Sequence, residues 1–417
     1  YIPARSPVAI AFISIATGLL AGIYPAYYMT SFPPALVLKG SFGLSPKERQ
    51  LRNALIGVQY VASFGLIIGA TFMYLQNYYM QNTPLGYDKD EIIITNMNNN
   101  IRKSRDAFAS QVKSFSGIEE VTYAEMLLSS QDQYMGWGRK YRDKDIQFQC
   151  LPVEPSFLKV MNVKISEGRD FREEDKAKRY GTFVFNERAR TEYGLEIGSL
   201  IDSMEIVGFM PDVKFASFRT EVTPMAFFVW GTNNWGNQPN YAYIKVKAGS
   251  DLRGAMQHVK TTLQSFDPEY PFNVRFFDEV LNGLYEKERS LSSLITLFSL
   301  IAIFISVVGV FGLVVFDSEY RKKEIGIRKV LGSTTEEIIV MFNKTYIRIL
   351  CVCFVLGAPI AGYVVHRWLE NFAYKTPMYW WVYLIAFAII AVITILTVTF
   401  QNWRAANENP VHSIKNE

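Results

Sequence analysis

Residues 317–344 read DSEYRKKEIGIRKVLGSTTEEIIVMFNK, and their place between two long apolar runs decides how the rest of the chain is read. The stretch leaves one apolar run at Phe316, carries Arg321, Lys322, Lys323, Arg328 and Lys329, and breaks at Gly332. Beyond the break, Ser333 with Glu336, or equally Thr334 with Glu337, has capping-box spacing. In that arrangement each side chain satisfies a backbone donor at the start of a new helix. The pattern predicts a helix, a glycine stop and a second helix at a membrane surface: an elbow across 317–345.

Working outward, five stretches are long enough to cross a hydrocarbon core, which takes roughly 20 mostly apolar residues. They are Pro7–Met29, Asn53–Leu75, Leu291–Phe316, Tyr346–Val365 and Trp381–Phe400. Gly18, Gly22 and Pro25 interrupt the first, and Gly57, Gly65 and Gly69 line the second. Small residues let helix backbones approach closely where lipid supplies no hydrophobic drive. Pro25 and Pro359 predict kinks. Basic residues set the orientation. Segments 31–52, 317–341 and 401–417 hold eleven Lys and Arg, whereas the flanks on the other side hold three, Arg5, Arg367 and Lys375. The elbow, the 31–52 loop and the C-terminus are therefore expected in the cytoplasm, and 77–289 outside. Tyr1 then lies outside as well. An odd number of spans starting outside, with no initiating Met and no leader-like basic region, leads to the expectation of a fragment of a longer protein.

Composition excludes several function classes. A net charge of +4, without a concentrated basic and aromatic patch, does not fit nucleic-acid binding. Three cysteines make no disulfide framework. Cys351 and Cys353 face different directions inside an apolar run, and Cys150 stands alone in the polar region. His258, His366 and His412 are too scattered for a metal cluster. The chain has no G-x-x-x-x-G-K-[ST] phosphate loop and no G-x-S-x-G elbow. Glu119–Glu120 and Glu173–Asp175 sit in charged, surface-like runs. Lys344 and Arg348 lie where they would snorkel from a span end, and no intramembrane proton relay is visible, which argues against ion-coupled transport.

The outside region reads as mixed α/β. Extended candidates are Glu91–Thr95, Glu120–Ala124, Ile146–Cys150, Gly181–Phe185, Met204–Phe209, Pro224–Val229, Tyr241–Val246 and Val274–Phe277. Helical candidates are Arg102–Phe115, Asn186–Tyr193, Asp251–Phe266 and Asp278–Arg289, the last running without a turn signal into the third span. Such a continuous rod could carry motion across the bilayer. Turn clusters at Gly136–Lys144 and Gly231–Asn240 predict exposed tips, and two subdomains fit the length.

With the elbow in the cytoplasm, its interior matters. A segment that only fixes orientation needs Lys and Arg alone, yet Ile325, Ile327, Val330 and Leu331 are mixed among the charges and Gly326 offers close approach. That content favours docking of a cytoplasmic partner. R-K-K-E-I-G-I-R-K-V-L-G at 321–332, directly after a span, resembles the signature loop of FtsX-like ABC transporter permeases of the MacB type. Further resemblance lies in Y-P-A-Y-Y-M-T-S-F-P-P-A-L-V-L-K-G at 24–40, S-E-G-R-D-F at 166–171 and V-G-F-M-P-D-V-K-F at 207–215. D-P-E-Y-P-F-N-V-R-F-F-D-E-V-L at 267–281 and N-P-V-H-S-I-K-N-E at 409–417 complete it, in versions similar to those of Bacteroidota.

The resemblance implies an α-helical integral membrane protein with about five transmembrane helices in this chain and an inserted mixed α/β periplasmic domain of the MacB-like core type. The organisation expected is 1–76 with two spans, 77–289 periplasmic, 290–402 with three spans and the elbow, and 403–417 as a cytoplasmic tail. The chain would be the second half, plus one span, of a duplicated eight-span permease of the bacterial inner membrane. Glu324, Ile325, Gly326, Arg328, Lys329 and Gly332 carry over as ATPase-coupling positions, with Lys39 and Gly40 at the equivalent edge of the first repeat. The chain itself would be no enzyme and hold no cofactor, ATP and Mg²⁺ sitting on a separate ABC ATPase. Further implied partners are a second permease copy or homologue, a periplasmic accessory protein and membrane lipid. The expected function is ATP-driven periplasmic conformational change for export or efflux. The alternative is a non-transporting module that acts on an envelope hydrolase or senses antimicrobial peptides.

Overall fold

The computed structural model describes residues 46–130, 134–233, 238–320, 327–328 and 331–406. The expected first span, Pro7–Met29, lies outside the described residues, as do Lys39 and Gly40 and most of the tail. Helix α1 (Pro46–Asn82) leads into the inserted domain. There follow β1 (Ile92–Asn96), α2 (Asn99–Lys103), α3 (Arg105–Lys113), β2 (Ile118–Ala124), β3 (Met135–Tyr141) and β4 (Lys144–Pro152). After α4 (Phe157–Val160) and β5 (Glu167–Gly168), a 3₁₀ turn at Glu173–Ala177 leads to β6 (Thr182–Asn186), α5 (Glu187–Tyr193), β7 (Leu200–Ile201) and β8 (Met204–Met210). The domain closes with β9 (Met225–Val229), β10 (Tyr241–Val246), α6 (Leu252–Phe266), β11 (Arg275–Phe276) and α7 (Phe277–Leu284). Three long helices complete the described chain: α8 (Glu286–Tyr320), α9 (Thr335–Leu369) and α10 (Trp380–Ala406).

Two sheets form the inserted domain. One is antiparallel in the order β11-β1-β10-β2; the other is mixed, in the order β3-β4-β9-β6-β8-β5 with β7 on β8. The parallel pairs are β4 with β9 and β6 with β8. Every residue of β6 and β9 is buried, which a strand covered on both faces requires and which makes both read as continuous apolar runs. A central core between the sheets joins Ile92, Ile94 and Tyr243 of the first sheet to Val184, Val207 and Phe227 of the second. On its other face the first sheet packs against α3 and α6, through Phe108, Val112, Val259 and Leu263. The second sheet's far face collects Phe148, Phe183, Phe185 and Phe228 around α5. Removing one such ring, Phe228 for example, would cost about 3–5 kcal/mol.

All eight expected strands are present, with end positions shifted by a few residues. Several other expectations change. Gly136–Lys144 is no loop tip: Met135–Tyr141 pairs along its whole length with β4, and only Arg142 and Asp143 turn, both at positive φ as a two-residue type I′ hairpin requires. An edge strand with one solvated face sets Gly136, Gly138 and Lys140 outward, opposite Met135, Trp137 and Arg139, and so reads as loop. Arg102–Phe115 is two helices, because Ser104 leaves the helical region at φ −114°, ψ 30°. The rod expected from Asp278 into the third span is also interrupted. Tyr285 caps α7 at φ −114°, ψ 13°, and α8 begins at the next residue. The tip expected at Gly231–Asn240 falls partly outside the described residues.

Four helical stretches among the described residues are long and apolar enough to cross a membrane: Ala54–Asn82, Glu288–Gly312, Thr335–Leu369 and Trp380–Trp403. The chain divides into two compact units. In the unit that holds 304–354, the Tyr60 and Thr394 hydroxyls meet at 3.1 Å, and Asn343 Nδ2 donates to Thr399 Oγ1 at 2.9 Å. Such interhelical hydrogen bonds each supply roughly 0.6–2 kcal/mol inside a bilayer. In the unit that holds the inserted domain, Phe64 stacks on Phe387 and Phe72 meets Tyr383 edge-on. There the Ser299 hydroxyl also donates to the Leu66 carbonyl at 3.0 Å.

Candidate functional site

The elbow is built from backbone chemistry. Leu331 N–H donates to the Ile327 carbonyl at 3.0 Å, a helical bond, and Ser333 N–H reaches back to the Arg328 carbonyl at 2.9 Å. Gly332 lies at φ +95°. A six-to-one bond closed over a left-handed glycine is a Schellman stop, and a side chain at Gly332 would strain it. Of the two capping boxes open in the sequence, the chain uses Thr334 and Glu337. Thr334 N–H donates to Glu337 Oε2 at 3.1 Å, and Glu337 N–H donates to Thr334 Oγ1 at 3.3 Å. Helix α9 therefore starts at Thr335 in a fixed register, with Glu336 and Glu337 in the first turn where the helix dipole favours them.

Of the expected coupling positions, Arg328 and Gly332 are described; Glu324, Ile325, Gly326 and Lys329 lie outside the described residues. Arg328 is exposed and its guanidinium reaches the Met341 sulfur at 2.9 Å, which ties the stopped helix to α9. Ile327 is 56% exposed and Leu331 79% exposed. One turn apart, they share a helix face, and that face is uncovered.

A second constellation escaped the sequence entirely. The loop from Val213 to Thr223, between β8 and β9, buries Phe218 to 1% exposure among Met80, Phe372 and their aromatic neighbours. Its neighbour Arg219 forms an ion pair with Glu288, whose side chain is 5% exposed. Lys214 places its ammonium 4.3 Å from the Tyr374 ring centroid, and burial lowers its pKa. These contacts join residues more than sixty positions apart, and no spacing rule could show them.

Elsewhere, a cavity of about 280 Å³ opens among Arg105, Glu125, Glu154, Lys176 and Trp230. Glu154 bridges Arg105 at 2.6 Å and Lys176 at 2.7 Å, and burial raises the Glu125 carboxyl. Among the described residues no group of three or more His, Cys, Asp or Glu could hold a metal ion.

The MacB-like periplasmic core domain family matches residues 55–262, and the FtsX-like permease C-terminal family matches residues 296–410. The chain belongs to the FtsX-like, MacB-type ABC transporter permeases. It is a multi-pass inner-membrane protein, and the inserted α/β domain is its periplasmic domain. Among curated proteins, the macrolide export ATP-binding/permease protein MacB of Chromobacterium violaceum is 23% identical over 230 residues, covering 52% of this chain and 35% of that protein. The protein of the same name from Escherichia coli K12 is 23% identical over 233 residues, with the same shares. The chain thus spans about a third of the length of the curated relatives it matches. Among solved structures, the periplasmic region of MacB from Actinobacillus actinomycetemcomitans is 14% identical, with a TM-score of 0.34, covering 47% of this chain and 92% of that one. A permease domain from Porphyromonas gingivalis is 18% identical, with a TM-score of 0.31, covering 47% and 93%.

Proposed function

We propose that this permease converts ATP hydrolysis by a separate ABC ATPase into a conformational change of its periplasmic domain, in the service of export. The ATPase docks on the elbow at Glu324, Ile325, Gly326, Arg328, Lys329 and Gly332. The uncovered Ile327–Leu331 face, held by a Schellman stop and a capping box, carries this reading. Exposed apolar surface on a rigid scaffold marks a contact site, and a capped elbow passes force where a flexible loop would absorb it. The relatives' name joins an ATP-binding part to a permease part, and the present chain contains no phosphate loop. In this reading ATP and Mg²⁺ sit on the separate ABC ATPase, with no cofactor on this chain. A second permease copy or homologue completes the membrane part, a periplasmic accessory protein meets the inserted domain, and lipid surrounds the spans.

The test pairs Glu324→Ala with Arg328→Ala in proteoliposomes that contain the ATPase subunit. Membrane insertion should be intact while stimulated ATP hydrolysis falls at least tenfold. Stimulation equal to that of the unaltered chain would refute docking at these residues.

A further inference from the structure

We infer that the Val213–Thr223 loop is the contact that transmits helix motion to the periplasmic domain, with Phe218 as its pivot and the Arg219–Glu288 pair as its lock. The inference rests on the reading above, in which ATP hydrolysis is converted into a conformational change of the periplasmic domain (mechanotransmission), and names where in the molecule that transmission takes place.

The covalent connections alone cannot do this work. The domain is entered after α1 and left before α8, and its first and last strands are direct neighbours, Ile93 opposite Phe276 and Ile94 opposite Arg275. A body held at two adjacent points is free to rock about them. The exit helix also breaks at Tyr285 rather than continuing into α8. Control of the domain's tilt requires a further contact between the domain and the helices.

The loop supplies it. At its root it is part of the domain: Val213 and Phe215 are buried in the central core. Asn186 fixes the loop's far end, donating to the Thr223 carbonyl at 2.9 Å and accepting from Met225 N–H at 3.0 Å. At its tip it is gripped by the spanning helices. Phe218 meets Tyr79 of α1 edge-on at 6.0 Å, Tyr285 at the helix break at 6.2 Å, and Tyr374 of the α9–α10 connection at 6.0 Å. One ring thus touches α1, the α7–α8 junction and the α9–α10 connection. Hydrogen bonds fix its backbone in the same socket. Phe218 N–H donates to the Tyr285 hydroxyl at 3.0 Å, and Tyr374 N–H donates to the Phe218 carbonyl at 3.1 Å.

The socket itself is braced. Gln76 of α1 is fully buried; its Nε2 donates to the Tyr374 carbonyl at 3.1 Å and its Oε1 accepts from Thr376 N–H at 2.8 Å. The α9–α10 connection therefore moves with α1. Glu288 stands at the outer start of the third span, where a buried carboxylate is unfavourable unless a cation meets it. The cation is Arg219, supplied by the periplasmic domain. Separating the loop from the helices would strand that carboxylate, so the pair opposes slippage.

The experiment follows distance during ATP turnover in the full chain with its ATPase subunit in nanodiscs. Labels are placed at exposed Lys144→Cys on the hairpin and exposed Asn371→Cys beside the socket, with Cys351 and Cys353 replaced by Ala. Arg219→Glu should reduce the ATP-driven distance change at least fivefold while ATP hydrolysis stays within about twofold. Arg219→Glu combined with Glu288→Arg should restore the change. Arg219→Gln with Glu288→Gln removes both charges without stranding one; it should fold normally and lose the change, which covers the case in which the single variant misfolds. A distance change in the neutral pair equal to that of the unaltered chain overturns the inference and leaves the mechanotransmission reading standing. No change in the unaltered chain overturns that reading and the inference with it.

Discussion

Replacing Ile327 and Leu331 together by Ser tests the elbow most directly, because both side chains are uncovered and neither supports the fold. At 56% and 79% exposure they offer a partner somewhat more than one whole aliphatic side chain of apolar surface. Burying one such side chain fully is worth about 1.5–3 kcal/mol. Their joint burial would then supply about 2–4 kcal/mol, or about 30-fold to several hundred-fold in Kd at about 1.4 kcal/mol per decade. The effect on the permease alone should stay near the ±0.5 kcal/mol of ordinary surface changes. The assay is a titration of the ATPase subunit onto the permease in nanodiscs, read as Kd and as ATPase stimulation. The half-maximal ATPase concentration should rise by that factor, with full stimulation recovered at saturation, since the changed residues add affinity rather than chemistry. A Kd within threefold of the unaltered chain would show that this face does not carry the contact.

Two further outcomes follow from the periplasmic domain. Gly181 sits at φ +83° with space for a Cβ only 2.0 Å from the Val229 carbonyl oxygen, so Gly181→Ala should separate β6 from β9, cost about 2–4 kcal/mol and make the domain protease-sensitive; unchanged protease resistance would contradict the packing described. Burial by itself raises the Asp175 carboxyl, but the Arg169 fork at 2.8 and 2.7 Å, the Arg172 N–H and Lys178 outweigh it and hold the pKa below the usual carboxylate range. A depressed folded pKa contributes stability that is present above the unfolded value of about 3.9 and is lost as pH falls through the folded value. Hydrogen-exchange protection across 169–178, taken relative to the intrinsic rate at each pH, should therefore fall below about pH 4 in the unaltered chain, and Asp175→Asn should lack that acid limb; an unchanged limb would remove Asp175 as its source.

The strands that read clearly are those whose chemistry is local. TFVFN at 182–186 and MAFFV at 225–229 are covered on both faces, so burial writes itself into consecutive residues. β3 did not read as a strand because MGWGRKY keeps one face in solvent, and a pair of glycines among charges looks the same in a loop. The break at Tyr285 was hidden because Tyr is an acceptable helix residue; its hydroxyl is engaged by Phe218, 67 positions away, a bond no local pattern records. The elbow was half legible. Gly332 announced its stop, but two capping boxes with equal spacing could be separated only by the hydrogen bonds that Thr334 and Glu337 make. The junction at Phe218, Arg219, Glu288 and Tyr374 was illegible for the same reason as Tyr285: its members meet only after both the domain and the helices have formed.

The pairing of β1 with β11 has a consequence for how such a protein could have arisen. With the entry and exit strands side by side, the ends of the 92–276 segment stand about 5 Å apart, the spacing of neighbouring strands. A segment with adjacent ends can be gained, lost or exchanged by recombination without altering the separation of the helices that carry it. What a newcomer must still match is the loop at 213–223, since that surface has to fit a socket it did not bring. Diversification of the periplasmic domain would then be free across most of its face and constrained at one small patch beside the membrane.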